Sequence, residues 1–282
     1  MISIIVATIH RVSELERLLG SLEKQNERNF EVIVVDQNRD DRLAPVLARY
    51  ANLTTRRLQS ERGLSRARNV GLSVAQGELL TFPDDDCWYL PELLERMKTW
   101  FDAHPEFGML GASLRTAENA PAATMAPTAC RCSKDNVSKC VLSATLFMRR
   151  VVSLAVGGFD ENLGVGSPSQ YQAGEERDYV LRALEKGFQM WYDPSLTVYH
   201  PTMYSLERQR TTAYAYALSE GYVQRLHAFP LRRVGTELIR SFGGAAIRLC
   251  QGDLYRARVC ALRGTGQLVG YVSGGRRPIR NH

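Results

Sequence analysis

No run in this chain approaches the roughly 18 consecutive apolar residues that a membrane-spanning helix requires, so no helical span is expected. The amino end, Met1-Ile2-Ser3-Ile4-Ile5-Val6-Ala7, lacks a basic leader and a following cleavage site. It reads as a buried strand, and the expected location is cytoplasmic. Glycine is missing from Ile9-His10-Arg11-Val12-Ser13, where a nucleotidyltransferase usually carries a glycine-rich loop followed by Arg and Lys. Cysteine is sparse: the six residues, at 87, 130, 132, 140, 250 and 260, read as reduced thiols. Zinc at Cys130, Cys132 and Cys140 is the lesser reading, because the C-x-C spacing is unusual and no fourth ligand is evident nearby. Acidic residues nearly vanish from the C-terminal part: residues 201–282 carry 13 Arg against 4 acids, net +9, whereas residues 1–200 are at net −3. A basic segment of this kind suits nucleic acid or an anionic membrane surface. Its helical, amphipathic look favours the membrane surface and argues against nucleic acid.

What remains is ordinary for a soluble protein. With 282 residues and 44% hydrophobic content there is room for one large or two modest domains with a well-buried core. Apolar runs alternate with helical patterns through the first half, the mark of a mostly parallel sheet flanked by helices. Strands are expected at Ile2–Thr8, Glu31–Val35 ending in Asp36, and Thr54–Leu58. A helix with Val12, Leu15, Leu18, Leu19 and Leu22 on one face is opened by a capping box from Ser13 to Glu16. A second helix covers Leu43–Tyr50. In open α/β sheets ligands bind outside the carboxyl ends of the strands, which puts Thr8, Asp36 and residues 84–86 on one crevice.

Asp84-Asp85-Asp86, directly after Leu79-Leu80-Thr81-Phe82, is the strongest chemical signal. In an extended segment Asp84 and Asp86 share a face while Asp85 points elsewhere. Two converging carboxylates repel, and a hard divalent cation such as Mn2+ or Mg2+, bridging to a substrate diphosphate, relieves that repulsion. Arg62-Gly63-Leu64-Ser65-Arg66-Ala67-Arg68 opens a helix with cations in its first turns, where the dipole disfavours them unless an anion such as phosphate docks beside them. A phosphatase would want its aspartates after the first strand, and here they come late.

Further along, Pro91 starts a helix with Leu93, Leu94, Met97, Trp100 and Phe101 on its core side. Residues 115–136 read as a mobile loop over the site, and Val141–Met148 as a strand. Glu175 and Glu176 then lie in the first turn of a helix that ends at Gly187, where the dipole keeps carboxylates ionised. Transfer to a hydroxyl needs a general base, and one of these two would supply it. His200 follows the strand Leu196–Tyr199 and could complete a metal shell.

In this order the features resemble the family 2 glycosyltransferases of the GT-A fold, over about residues 1–205. The carrying segments are Ile2–Thr8, Val34-Val35-Asp36, Gly63–Gly71, Asp84-Asp85-Asp86 as a D-x-D, and Gly174-Glu175-Glu176-Arg177-Asp178 before a helix. The resemblance implies a catalytic domain over residues 1–204, with a nucleotide part to about 114 and an acceptor part from about 137. A basic amphipathic helical tail would follow at 205–282. It makes Asp36 a base or ribose contact, with Thr8, His10 and Glu14 near the nucleotide and Arg66 near base or phosphate. Asp84 and Asp85 would lie at the donor, Asp84 and Asp86 with His200 at the metal, and Glu176, with Glu175 as its rival, would act as base. Two departures stand out: Glu176 occupies the usual aspartate position, and Ala7-Thr8-Ile9-His10 replaces a frequent Pro-Thr-Tyr-Asn type of turn. The implied chemistry is a single inverting displacement on a nucleoside-diphosphate sugar, a UDP-sugar favoured, by a saccharide or lipid-linked acceptor in bacterial exopolysaccharide synthesis. No Gln-x-x-Arg-Trp segment follows the acidic motif, which favours one sugar per encounter. The alternatives are a nucleotidyltransferase and a non-catalytic scaffold that binds a sugar nucleotide. The tail helices, near Leu206–His227, Leu231–Leu249 and Asp253–Tyr271, would lie on an anionic membrane or pack as a dimer.

Overall fold

A computed structural model describes residues 1–201 and 206–275. The chain divides into two compact units, one of residues 1–160 and 179–203, the other of residues 161–178 and the C-terminal helices. The expected boundary near 204–205 falls outside the described residues.

The first unit is built on one sheet. Its strands are β1 (Ile2–Thr8), β2 (Phe30–Asp36), β3 (Thr55–Gln59), β4 (Leu79–Thr81), β5 (Met109–Arg115), β6 (Cys130–Arg131), β7 (Leu146–Arg149) and β8 (Met190–Tyr199). They lie in the order β3-β2-β1-β4-β7-β5-β8-β6. β1, β2, β3 and β4 pair in parallel, and β7 runs antiparallel between β4 and β5. The central strands are covered on both faces: Ile2, Ile4, Ile5 and Val6 of β1 and Val32–Val35 of β2 are all fully buried. That is why they read as unbroken apolar runs rather than alternating ones.

The flanking helices are α1 (Val12–Leu22), α2 (Ala44–Arg49), α3 (Leu64–Val74), α4 (Leu93–Ala103), α5 (Val137–Cys140), α6 (Arg150–Val156) and α7 (Glu175–Glu185). α1 turns Leu15, Leu18, Leu19 and Leu22 into the core, as their spacing predicts. The predicted capping box does not form. Arg11 holds the N-cap position without a side-chain cap, and Ser13, already inside the helix, donates instead to the Glu14 carboxylate at 3.0 Å. The strand expected over Val141–Met148 is shorter: Ser143–Thr145 winds into a 3-10 turn before β7. The segment expected as a loop at 115–136 contains β6, which pairs antiparallel with β8.

The second unit gathers residues 161–178 with α8 (Leu206–Leu226), α9 (Leu231–Cys250) and α10 (Leu254–Ser273). α7 thus contributes its first turn to this unit and its remainder to the first. The three long helices share a buried polar knot. Gln224 and Gln267 both donate to Glu237 Oε2 at 2.7 Å, and Gln267 also donates to Gln224 at 2.9 Å. Groups this buried are satisfied only in one register of the three helices, so the knot fixes their mutual alignment. Among the described residues no helix is long and apolar enough to cross a membrane.

Candidate active site

The parallel arrangement delivers the ends of β1, β2 and β4 to one edge of the sheet. Thr8 and Asp36 are register partners at the ends of β1 and β2, and both are buried. Asp36 is spent on local order. Its Oδ1 accepts from the Asn38 backbone N–H and side-chain amide at 2.8 and 2.7 Å, and its Oδ2 from Arg57 Nη2 at 2.7 Å. Asn38 in turn accepts from the His10 backbone N–H at 2.8 Å, with His10 held at φ 60°. The side chain of His10 is exposed at the rim. Beside these groups Asn38, Arg39, Asp40, Asp41, Arg57 and Gln59 line an open cleft of 480 Å3, large enough for a nucleoside.

Beyond β4 the chain does not continue extended. The Cys87 N–H bonds back to the Asp84 carbonyl at 3.0 Å, so Asp84–Cys87 is a turn. The turn nonetheless brings Asp84 and Asp86 together: one carboxylate oxygen of each lies within 4.8 Å of the other, with the Cys87 thiol equally near. Asp85, expected to point elsewhere, is buried and meets the same Arg11 nitrogen as Asp86, at 3.0 Å. Arg11 also pairs with Asp86, whose other oxygen lies 3.4 Å from His200 Nε2. Burial alone would raise both carboxyls. Hydrogen bonds and charge from His200 and Arg11 outweigh burial at Asp86 and hold it at about 2, whereas burial prevails at Asp85 and lifts it to about 6. Asp86 is therefore fixed as an anion at neutral pH.

Two cations to which the sequence reading gave no individual role, Arg11 and Arg68, complete the cluster. Arg11 follows His10 in the strand-end turn, and its value became visible only with the fold. Arg68, 1% exposed, reaches Asp84 at 3.2 Å and lies over the Phe159 ring. The arginine segment expected to await a phosphate therefore has one cation already committed to a carboxylate. Arg66, the residue expected at the base or phosphate, sits half-buried in the first turn of α3. Glu14 has turned to Ser13 on α1. His200 is held by its backbone N–H to the Arg115 carbonyl at 2.8 Å. Before it Tyr199 stacks on Trp88 at 5.7 Å, and the two exchange backbone hydrogen bonds. The two converging carboxylates suit Mn2+ or Mg2+, with His200 beside Asp86 rather than within the cluster, while the Cys87 thiol, raised by burial, stays protonated and is no ligand for a hard ion.

In the second unit Glu175 and Glu176 open α7, both buried, after Gly174 at φ 85°. That left-handed backbone favours glycine, and a Cβ there would also press within 3.2 Å of Val223. One side of α8 grips the motif. The Ala173 N–H donates to Ser219 Oγ at 3.2 Å, Arg177 pairs with Glu220, and Asp178 meets His227 Nε2 at 3.0 Å with both side chains buried. Replacing His227 by Ala removes a buried partner of Asp178. A loss of about 3 kcal/mol of stability is expected, read from the urea unfolding midpoint.

Residues 3–128 match the model of the family described as Glycosyl transferase family 2. Over 110 residues the chain is 34% identical to an uncharacterized glycosyltransferase of Haemophilus influenzae, covering 39% of this chain and 37% of that protein. It is 33% identical over 108 residues to the poly(ribitol-phosphate) beta-N-acetylglucosaminyltransferase TarS of Staphylococcus aureus, covering 36% of this chain and 19% of TarS. The chain thus matches well under half the length of these relatives. Its structure superposes on TarS residues 1–349 in complex with UDP-GlcNAc with a TM-score of 0.63 at 18% identity, covering 97% of this chain and 92% of that one. A mannosyltransferase of Pyrobaculum calidifontis in complex with GDP-Man and Mn2+ gives a TM-score of 0.62 at 17% identity, covering 95% and 86%. The fold is that of the GT-A glycosyltransferases. Residues 3–128, less than half of the chain, are the part that resembles glycosyl transferase family 2.

Proposed function

We propose that the chain is an inverting, metal-dependent glycosyltransferase. It moves one sugar from a nucleoside-diphosphate sugar, a UDP-sugar in preference, to a hydroxyl of a saccharide or lipid-linked acceptor in bacterial surface-glycan synthesis. The observation that carries this reading is the convergence of Asp84 and Asp86, with His200 3.4 Å from Asp86, at the strand ends of a family 2 domain. Asp84, Asp86 and His200 would hold Mn2+ or Mg2+, which when bound neutralises charge on the donor diphosphate and on the departing nucleotide. Thr8, His10 and the cleft beside Asp36 would take the nucleoside, with Asp36 acting through the Asn38 and Arg57 it fixes. Arg11 and Arg66 would stand near the phosphates, and Arg68 would orient Asp84. Glu176 would take the proton of the acceptor hydroxyl, Glu175 being the neighbour that could replace it. The test is release of nucleoside diphosphate from UDP-sugars with Mn2+ and a mixed saccharide acceptor set. Metal-dependent release from one donor supports the reading, and none from UDP-, dTDP- or GDP-sugars contradicts it.

Contact with the cytoplasmic face of an anionic membrane belongs to the same proposal. On α9 Ile239, Phe242, Ile247 and Leu249 are exposed, the first at 74%, and Arg232 and Arg240 lie exposed on the same helix. Buried apolar side chains plus about 1 kcal/mol for each Arg near anionic lipid would hold the unit at a surface. The full-length chain is expected to sediment with anionic vesicles and not with neutral ones. Equal indifference to both at physiological salt contradicts membrane contact while leaving the catalytic reading intact.

A further inference from the structure

β8 carries three residues that β5 does not match. The ladder pairs Ala112 with Asp193 and then Ser113 with Thr197, so Pro194, Ser195 and Leu196 leave it as a bulge. One hydroxyl holds the bulge in shape: Ser113 Oγ lies 3.1 Å from the Pro194 carbonyl, 3.0 Å from the Leu196 carbonyl and 3.1 Å from Thr197 Oγ1. The bulge meets the first turn of α4, where Arg96 Nη2 donates to Ser195 Oγ at 3.2 Å. β5 ends at Arg115, the register partner of Tyr199. A tight turn follows, with the Thr116 N–H on the Ala120 carbonyl at 2.8 Å and Asn119 at φ 61°, a left-handed backbone that asparagine tolerates. That turn sets the Asn119 carbonyl 2.9 Å from Arg115 Nη1 and braces the half-buried guanidinium.

These elements enclose a cavity of 340 Å3. Both guanidiniums line it, with the polar Asn119, Ser195 and Thr197 and the apolar Leu93 and Pro194. Each guanidinium is tied to a neutral oxygen, and among the described residues neither forms an ion pair, not even with Glu92 on the same wall. Two uncompensated cations on one concave wall repel, and an anion between them relieves the repulsion. The planar fork of arginine fits the oxygens of a phosphate or a carboxylate. Hydroxyl and amide groups set against apolar side chains suit a sugar ring, polar at its edge and C–H on its face. The volume lies at the low end of the roughly 300–1,000 Å3 usual for small-molecule sites, room for a single substituted ring.

We propose that this cavity binds an anionic sugar residue, a ring carrying a phosphate or a carboxylate group, at a site separate from the cleft beside Asp36. Arg96 and Arg115 hold the charged group, and Asn119, Ser195 and Thr197 meet the ring hydroxyls. The wall of the cavity continues into the carboxylate cluster. Tyr199, which lines the cavity and stacks on Trp88, immediately precedes His200, and the His200 N–H bonds to the Arg115 carbonyl at 2.8 Å. In the proposed transfer the ligand is accordingly a charged residue of the acceptor saccharide. That assignment rests on the glycosyltransferase reading, whereas the binding itself does not.

The experiment is a calorimetric titration of the full-length chain at physiological salt with glucose 6-phosphate, glucuronate, glucose and inorganic phosphate. At least one of the two charged sugars is expected to bind with a Kd of about a millimolar or tighter, glucose not measurably, and inorganic phosphate about tenfold more weakly or worse. Which charged sugar binds names the anion. Arg115→Gln and the exposed Arg96→Gln should each weaken that binding by about tenfold or more, the loss of one charge-assisted hydrogen bond. UDP with Mn2+ should not displace the sugar. Binding of neither charged sugar overturns the proposal, as does an affinity untouched in both arginine variants. Glucose or phosphate binding as tightly as the charged sugar overturns it too, as does displacement by UDP with Mn2+, which puts the sugar in the donor cleft. None of these measurements depends on transfer, so a chain that binds the charged sugar but transfers nothing would keep the site and lose only its assignment to an acceptor.

Discussion

Replacing Asp86 by Asn is expected to lower glycosyl transfer by about a thousandfold at saturating Mn2+, the loss of several kcal/mol of charge stabilisation. The side chain keeps its shape and loses one charge, so the effect isolates electrostatics. In the native chain that charge is secured at about 2 because His200 and Arg11 outweigh burial. The variant should still fold, since Arg11 retains Asp85 at 3.0 Å and the Asp84–Cys87 turn is closed by backbone atoms. Initial rates across a Mn2+ titration provide the measurement. A variant within threefold of the parent at every metal concentration would remove Asp86 from the metal and with it the central carboxylate of the site.

Glu176→Gln is the second large effect. Loss of a general base costs typically 10²–10⁴-fold, so turnover should fall by about a thousandfold while donor affinity stays near that of the parent. The amide fits the same buried pocket beside Arg177, 3.6 Å from Glu176 Oε1, and cannot accept the acceptor proton. Glu175→Gln is the comparison. If it abolishes transfer and Glu176→Gln does not, the base is Glu175, and if neither variant slows transfer, the acidic motif is not the base.

The sheet was legible because its central strands are buried on both faces, which leaves runs such as Ile2–Thr8 and Phe30–Asp36 continuous in the sequence. The three long C-terminal helices were legible within a residue or two, because their apolar positions recur at helical spacing. The aspartate cluster was visible as a composition, but its conformation was not. An extended reading and a turn place Asp84 and Asp86 together equally well, and only the Cys87 N–H to Asp84 carbonyl bond separates them. Ser13 misled because a capping pattern depends on where the helix begins, and the entry of the chain at Arg11 moved that start. The partners that order the site were hidden by distance along the chain. Arg11 meets Asp85 across 74 residues and His227 meets Asp178 across 49, pairings that no local pattern encodes.

Calorimetric titration of the full-length chain with UDP, dTDP and GDP, each with and without Mn2+, tests the central claim most directly. One of the three, UDP in preference, should bind with an affinity that requires the metal and that falls by at least about a hundredfold in Asp86→Asn. Binding of none of them, or binding indifferent both to Mn2+ and to Asp86, would contradict a sugar-nucleotide site at these carboxylates.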